Sequence, residues 1–226
     1  FFTDLQYSES GAKITYDPKE AFGQDLVLKI NPPTTDEIEF LKPCTYLVSA
    51  LQINLRDKEY FKKLSEKKVN AIAFEFIVDE YKQLSLVRLI GEIAGNISIL
   101  YAAELLALSN GLMLGGITGV RPTEVVVLGA GIVGEFATKA AIGLGASVKV
   151  FDNSLSKLRR LHMMVDGRVP TSIIDPKELG KCLRRADVVI GALSKISLAP
   201  IVTEEMVTQM KKGSVIIDVT IDNGKV

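Results

Sequence analysis

An α/β architecture of two domains, each built on a parallel sheet, is predicted by three observations. Short apolar runs alternate with helical patterns along nearly the whole chain, as in a parallel sheet with crossover helices. One glycine cluster, Gly129-Ala130-Gly131-Ile132-Val133-Gly134, joins an apolar run directly to a helical one. A single long helical stretch separates the two series of alternations. With 226 residues, 47% of them apolar, the chain is long enough to bury two cores.

In the first half, Pro18 to Phe22 reads as a short helix opened by Asp17. Leu26 to Ile30 is a compact apolar run ended by Pro32-Pro33. Thr35 to Leu41 is a helix start with Thr35 as its cap and Ile38 and Leu41 facing inward. Thr45 to Ile53 is a second strand, Lys58 to Lys67 a lysine-rich polar helix, and Val69 to Phe76 a third strand. From Leu86 to Leu108 the period is helical. Ile90, Ile93, Ile97, Leu100, Tyr101, Leu105 and Leu108 form an apolar stripe, while Gly91, Gly95, Ser98 and Ala102 make a small face suited to close packing. The longest apolar run, Ile97 to Leu114, is broken by Glu104, Ser109 and Asn110; it is too short and too polar for a membrane span and reads as a buried helix, and the long helix is expected to join the domains. The boundary is drawn after Gly115, giving domains over 1–115 and 116–226.

The second half alternates more cleanly. Strands are predicted at Glu124–Leu128, Ser147–Phe151, Arg168–Ile173, Asp187–Ala192 and Ser214–Val219. Helices are predicted at Ile132–Leu144, Ser154–Met164, Pro176–Arg185 and Thr203–Met210, the last capped by Thr203 with Met206 and Met210 inward. This is a doubly wound, Rossmann-like pattern.

Composition narrows the function. Lys+Arg and Asp+Glu number 27 each, so a polybasic nucleic-acid binder is not indicated. Cys44 and Cys182 are the only cysteines and His162 the only histidine, which argues against a disulfide scaffold or a cysteine- or histidine-rich metal site. No basic start followed by an apolar run marks a signal peptide. The chain opens on Phe1-Phe2 and ends just after a predicted strand, so it is expected to be an excerpt of a longer one.

The glycine motif has the full context of a dinucleotide fingerprint: a strand before it, a helix beginning inside it, and a second strand ending in Asp152, 18 residues past Gly134. Gly129 permits the tight turn, and Gly131 lets backbone approach a pyrophosphate. Ile132 and Val133 open the helix whose N-terminus meets that charge, and Gly134 permits close helix–strand packing. Asp152 can accept hydrogen bonds from an adenosine ribose and would repel a 2′-phosphate, so NAD is expected over NADP. Lys157, Arg159 and Arg160 read as solvated surface. Gly191-Ala192-Leu193-Ser194 lies at the carboxyl end of the fourth strand, where Leu193 and Ser194 are placed to line the nicotinamide ribose. Asp222 occupies the same edge, with a turn-forming role as the alternative. Asp187 reads as a turn residue.

In the first domain, Lys29 stands inside an apolar strand. It is either an anion-binding lysine, meeting a substrate carboxylate or carbonyl, or an edge-strand residue whose ammonium reaches solvent. Gln52 ends the next strand and can hydrogen-bond a ligand. Glu92 in the long helix either contacts the cofactor loop or makes a structural ion pair. Both cysteines read as structural, and His162 as a surface or interface residue.

Leu114-Gly115-Gly116-Ile117-Thr118-Gly119-Val120-Arg121-Pro122, Gly129 to Gly134, Lys157-Leu158-Arg159, Ala186 to Ala192, Met210 to Val219 and Glu92-Ile93-Ala94-Gly95 together resemble the alanine dehydrogenase and proton-translocating transhydrogenase alpha-subunit family. The resemblance spans almost the whole chain. It implies a cytoplasmic, oligomeric two-domain enzyme with NAD between a substrate domain and a cofactor domain. It also implies that Lys29 binds a pyruvate-like substrate and that Asp222 lies at the active site. The family's dehydrogenases carry a catalytic histidine where this chain has Gln52. A glutamine there resembles the transhydrogenase alpha subunit, whereas Asp222 and Glu92-Ile93-Ala94-Gly95 resemble the dehydrogenase branch. The resemblance therefore implies NAD-dependent oxidative deamination of L-alanine. The alternatives are the NAD(H)-binding part of a transhydrogenase, partnered by a membrane subunit, and a non-catalytic NAD-binding homologue.

Overall fold

The computed structural model describes residues 2–53, 55–193 and 200–220. It divides into two compact units, Phe1–Val87 and Arg88–Val226. The sequence-based boundary after Gly115 differs in counting the long helix with the first unit.

The first unit opens with helices α1 (Asp4–Glu9) and α2 (Pro18–Phe22). Strand β1 (Leu26–Leu28), helix α3 (Thr35–Phe40), strand β2 (Tyr46–Ser49), helix α4 (Lys58–Glu66) and strand β3 (Asn70–Ala73) follow. The three strands are parallel in the order β1-β2-β3. Val27 and Leu47 bury one sheet face against Ile38 and Leu41 at α3 and Tyr60 and Leu64 of α4. On the other face Leu26, Leu28, Tyr46 and Ile72 are exposed.

The cap of α3 is Thr34, not Thr35. Thr34 Oγ1 accepts from the Glu37 amide at 3.2 Å and Glu37 Oε2 accepts from the Thr34 amide at 2.6 Å. The reciprocal box needs an acid three residues after the cap, and only Thr34 has one. The predicted strand Val69–Phe76 ends at Ala73, and Phe74–Phe76 turn as a single 3₁₀ turn. Predicted Thr45–Ile53 likewise pairs only over Tyr46–Ser49.

The second unit takes in nearly all of α5 (Ser85–Asn110). Strand β4 (Glu124–Leu128), helix α6 (Ile132–Gly143), strand β5 (Ser147–Phe151), helix α7 (Leu155–Met164), the short strand β6 (Thr171–Ser172) and helix α8 (Pro176–Leu183) come next. Strand β7 (Val188–Gly191), helix α9 (Glu204–Thr208) and strand β8 (Val215–Asp218) complete it. All pairings are parallel in the order β6-β5-β4-β7-β8, a doubly wound sheet whose order reverses beside β4. Alternation along β4 feeds two cores. Val125 and Val127 pack with α5, α6 and α7, while Val126 and Leu128 pack with Leu179 and Leu183 of α8.

The long helix turns its small face inward. Gly91, Gly95, Ser98 and Ala102 are buried, together with Ile99 and Leu106. The larger stripe faces outward, with Ile93 59% and Leu108 77% exposed. Small residues permit the closest backbone approach, and that approach fixes which face packs. By length and composition α5 is also apolar enough to cross a membrane, with 28% of its most apolar stretch buried.

Candidate functional site

In a parallel sheet the carboxyl ends of all strands share one edge, and ligands of open α/β sheets bind there. In the second unit that edge carries the glycine loop. Gly129 takes φ +114, a conformation that favours glycine. Its amide donates to the Phe151 carbonyl at 2.7 Å, and Ala192 donates to the Leu128 carbonyl at 2.7 Å. A Cβ at Gly129 would strike the Ala192 carbonyl beside the Leu193 amide, so the turn lies tight against the end of β7. A Cβ at Gly134 would strike the Gly129 carbonyl, so the helix can approach the strand only as glycine.

Gly131 differs from both. Its φ is −75, which any residue adopts, and a Cβ there would meet nothing within 4 Å. Neither the backbone nor the packing of this chain requires glycine at that position. The residue is also the N-cap of α6 and offers no side chain to the first-turn amides. An open cradle at an uncapped helix N-terminus, opened by Ile132 and Val133, fits a pyrophosphate.

Asp152 is buried beneath this loop. Its Oδ2 accepts from the Ala130 amide at 2.8 Å and its Oδ1 from the Ser154 amide at 2.7 Å. The carboxylate thus ties the end of β5 to the glycine turn, and an ionised carboxylate retains further acceptor capacity for a ribose hydroxyl. Leu193 lies just past β7 on the same edge, while Ser194 and Asp222 fall outside the described residues.

Helix α5 reinforces the loop from one side. Cβ atoms at Gly91 and Gly95 would press on the Ile132 side chain and on Val133 and Phe136, respectively. Glu92 makes the structural ion pair, with Arg88 Nε 2.9 Å from its Oε1. Arg160 proves more than solvated surface, since it lies 3.5 Å from buried Glu135, which Lys139 also meets at 2.8 Å.

In the first unit the same edge gathers Lys29, Gln52 and Glu75, just beyond β1, β2 and β3. Lys29 continues the ladder, its amide donating to the Val48 carbonyl at 3.0 Å. Its ammonium is paired, with both Glu37 carboxylate oxygens 2.5 Å from Nζ. Burial raises the Glu37 pKa, but the Lys29 ammonium and the Thr34 amide outweigh it and hold the carboxyl below its ordinary value. Gln52 adopts φ +50, and its side-chain oxygen accepts from Arg56 at 3.3 Å. Glu75 Oε1 accepts the amides of Leu51 at 2.8 Å and Gln52 at 2.7 Å.

Sequence reasoning missed Glu37 and Glu75. Glu37 was detectable from the Thr34-x-x-Glu37 spacing, and Glu75 as an acid between two aromatics at a strand end. Asp187 is more than a turn residue. It is buried at the opposite sheet edge, where its Oδ2 accepts from the Glu124 amide at 2.8 Å and its Oδ1 from Lys211 at 2.7 Å. His162 and Cys44 are exposed.

Comparison with known proteins gives consistent matches. The family model described as "Alanine dehydrogenase/PNT, N-terminal domain" matches residues 1–94, and "Alanine dehydrogenase/PNT, C-terminal domain" matches residues 98–226. Alanine dehydrogenase of Staphylococcus saprophyticus is 35% identical over 99% of this chain and 62% of its own length. That of Staphylococcus epidermidis is 37% identical with the same coverage. The chain thus spans about three fifths of the curated relatives it matches. Among solved structures, an L-alanine dehydrogenase superposes with TM-score 0.83 at 32% identity, over 98% of this chain and 63% of that one. A transhydrogenase from Sinorhizobium meliloti shares the fold, with TM-score 0.79 at 22% identity, over 99% of this chain and 66% of that one.

Proposed function

The chain belongs to the alanine dehydrogenase/PNT family, and from that premise we propose that it serves NAD-dependent oxidative deamination of L-alanine to pyruvate and ammonia. The observation that carries this reading is the position of Lys29, a lysine at the carboxyl edge of the first sheet, the edge beyond which Gln52 also lies in the turn after β2. The alanine dehydrogenases at 35–37% identity support it.

In this reading the Gly129–Gly134 loop and the start of α6 hold the cofactor pyrophosphate, and Asp152 accepts from the adenosine ribose. The carboxylate at Asp152 favours NAD over NADP, because a 2′-phosphate would meet like charge. Leu193 and Ser194 line the nicotinamide ribose. The bound dinucleotide supplies a hydride acceptor. Lys29 holds the substrate oxygens, and Asp222 orients the water that converts the imine to pyruvate. Gln52 can orient a substrate group but has no proton to exchange near neutrality, so turnover is expected to be slow. A soluble, cytoplasmic homo-oligomer belongs to the same reading.

Gln52 favours a second reading, the NAD(H)-binding part of a transhydrogenase working with a membrane subunit and an NADP-binding domain, or a non-catalytic NAD-binding homologue. NADH formation from L-alanine at alkaline pH, measured for the wild type beside Gln52→His, separates these. Wild-type turnover supports the dehydrogenase. Silence rescued by histidine indicates a lost base. Silence in both, with tight NADH binding and hydride exchange on adding an NADP domain, supports the transhydrogenase.

A further inference from the structure

Glu135 stands in the first turn of α6 with its side chain only 1% exposed. Its amide donates to the Gly131 carbonyl at 2.9 Å, so it lies one helical turn behind the glycine cradle. Lys139, on the same helix, meets its Oε1 at 2.8 Å. Its Oε2 is buried and accepts no hydrogen bond among the described residues, and the Arg160 guanidinium on α7 stands 3.5 Å from it. Burying a carboxylate is costly, and an ion pair within one helix forms equally well at the surface. What burial adds here is reach across to α7.

Other sides of α6 are fixed by close packing. Gly91 and Gly95 of α5 lie against Ile132, Val133 and Phe136, and Gly134 lies against the Gly129 carbonyl. Toward β5 and α7, Asp152 Oδ2 accepts from the Ala130 amide in the loop, and Glu135 meets Arg160 a turn further along. The first tie alone would leave a pivot, and the second fixes the tilt. Helix α7 is capped by Ser154, whose amide donates to Asp152 Oδ1. The Glu135–Arg160 pair therefore joins the helix behind the pyrophosphate cradle to the helix behind the ribose carboxylate.

We propose that Glu135 is a positioning residue for the dinucleotide: its pairing with Arg160 sets the tilt of α6, so that the first-turn amides and Asp152 meet pyrophosphate and ribose together. This rests on the reading of the glycine loop and Asp152 as the cofactor site. The sign of one charge change separates positioning from simple electrostatics. A carboxylate so near an anionic dinucleotide repels it, so removing that charge would tighten binding if charge alone mattered. Positioning demands the opposite.

NADH affinity is read by fluorescence titration on the full chain for Glu135→Gln, Arg160→Met and the double variant, at a temperature where circular dichroism shows each to be folded. The expected result is about tenfold weaker binding in each single variant, the scale of groups coupled through one ion-pair network, with no further loss in the double. Wild-type or tighter binding by folded Glu135→Gln overturns the proposal, and a lowered thermal midpoint alone would mark a carboxylate that serves only stability. Additive losses in the double variant overturn it as well. If Glu135→Gln does not fold, Arg160→Met decides, since the Arg160 side chain is 44% exposed. Its loss relative to wild type must then persist in about 1 M salt, where the Debye length is about 3 Å, and Arg160→Lys must restore affinity. A loss abolished by salt, or not restored by lysine, overturns the proposal. Wild-type NADH affinity in both Gly131→Ala and Asp152→Ala, or no NADH binding by the wild type, sinks the reading of the cofactor site, and the proposal with it.

Discussion

Glu75 Oε1 accepts the backbone amide of Gln52 at 2.7 Å, at the point where Gln52 takes the left-handed φ of +50. The same oxygen accepts the Leu51 amide, so one carboxylate beyond β3 sets the turn beyond β2. A non-glycine residue in this region costs about 1–2 kcal/mol and persists only when its surroundings impose it. Glu75→Ala is expected to lower stability by roughly 2 kcal/mol, because two amides lose a charged acceptor. The double variant Glu75→Ala/Gln52→Gly should recover part of that loss, since glycine reaches the same φ without strain. Urea denaturation of both variants checks this. Equal midpoints would show that Glu75 does not impose the turn.

The glycine loop permits a paired experiment. At Gly134 a Cβ would run into the Gly129 carbonyl, and at Gly131 it would meet open space. Gly134→Ala should therefore destabilise the second unit by about 1–3 kcal/mol through overpacking. Gly131→Ala should leave the thermal midpoint within about 0.5 kcal/mol of wild type while weakening NADH binding at least tenfold. Thermal denaturation beside NADH fluorescence titration reads both effects. A Gly131→Ala protein with wild-type NADH affinity would mean that the cradle does not meet the pyrophosphate.

Most of the sheet framework was legible because it is written in local periodicity. Val125-Val126-Val127-Leu128 reads as a buried strand and is one, and the spacing of the glycines is enough to place the turn that follows it. Strand ends were less legible. Gln52 and Phe74 continue apolar runs, but their turns are imposed by Glu75 and by a 3₁₀ turn, relationships that apolar periodicity does not carry. The packed face of α5 was decided by backbone proximity at Gly95 against Val133, which outweighed the larger apolar stripe. Lys29 was conspicuous as a charge among apolar residues. Its partner Glu37 was hidden among the acids of a helix start, where it also serves the cap.

The Glu37 pKa gives a pH prediction with a definite sign. Burial alone would raise it, but the Lys29 hydrogen bond and the Thr34 amide bring it below the ordinary glutamate range. A group whose folded pKa is depressed adds stability above its unfolded pKa, about 4.3 for glutamate, and loses it as pH falls through the folded value. The contribution of Glu37 is thus fully present near neutrality and fades in acid. Comparing wild type with Glu37→Gln by denaturant midpoints at pH 7 and at pH 3 should show a gap that narrows in acid. A gap independent of pH would mean that the carboxylate charge contributes nothing to the pair.

Asp187 provides the control at the opposite edge of the second sheet. It receives the Glu124 amide at 2.8 Å and the Lys211 ammonium at 2.7 Å, joining the starts of β4, β7 and β8. Asp187→Ala leaves the Lys211 ammonium to solvent, because that side chain is 42% exposed, but strands a part-buried amide at Glu124. The expected loss is about 1–3 kcal/mol, dominated by the unsatisfied amide. Gly191, where the cofactor edge begins, lies four residues further along β7, roughly 13 Å at the rise of a parallel strand. NADH affinity should therefore match wild type at temperatures where the variant is folded. Calorimetric melting paired with an NADH titration at low temperature tests this separation, and a several-fold loss of affinity in the folded variant would show that the two edges of the sheet are coupled.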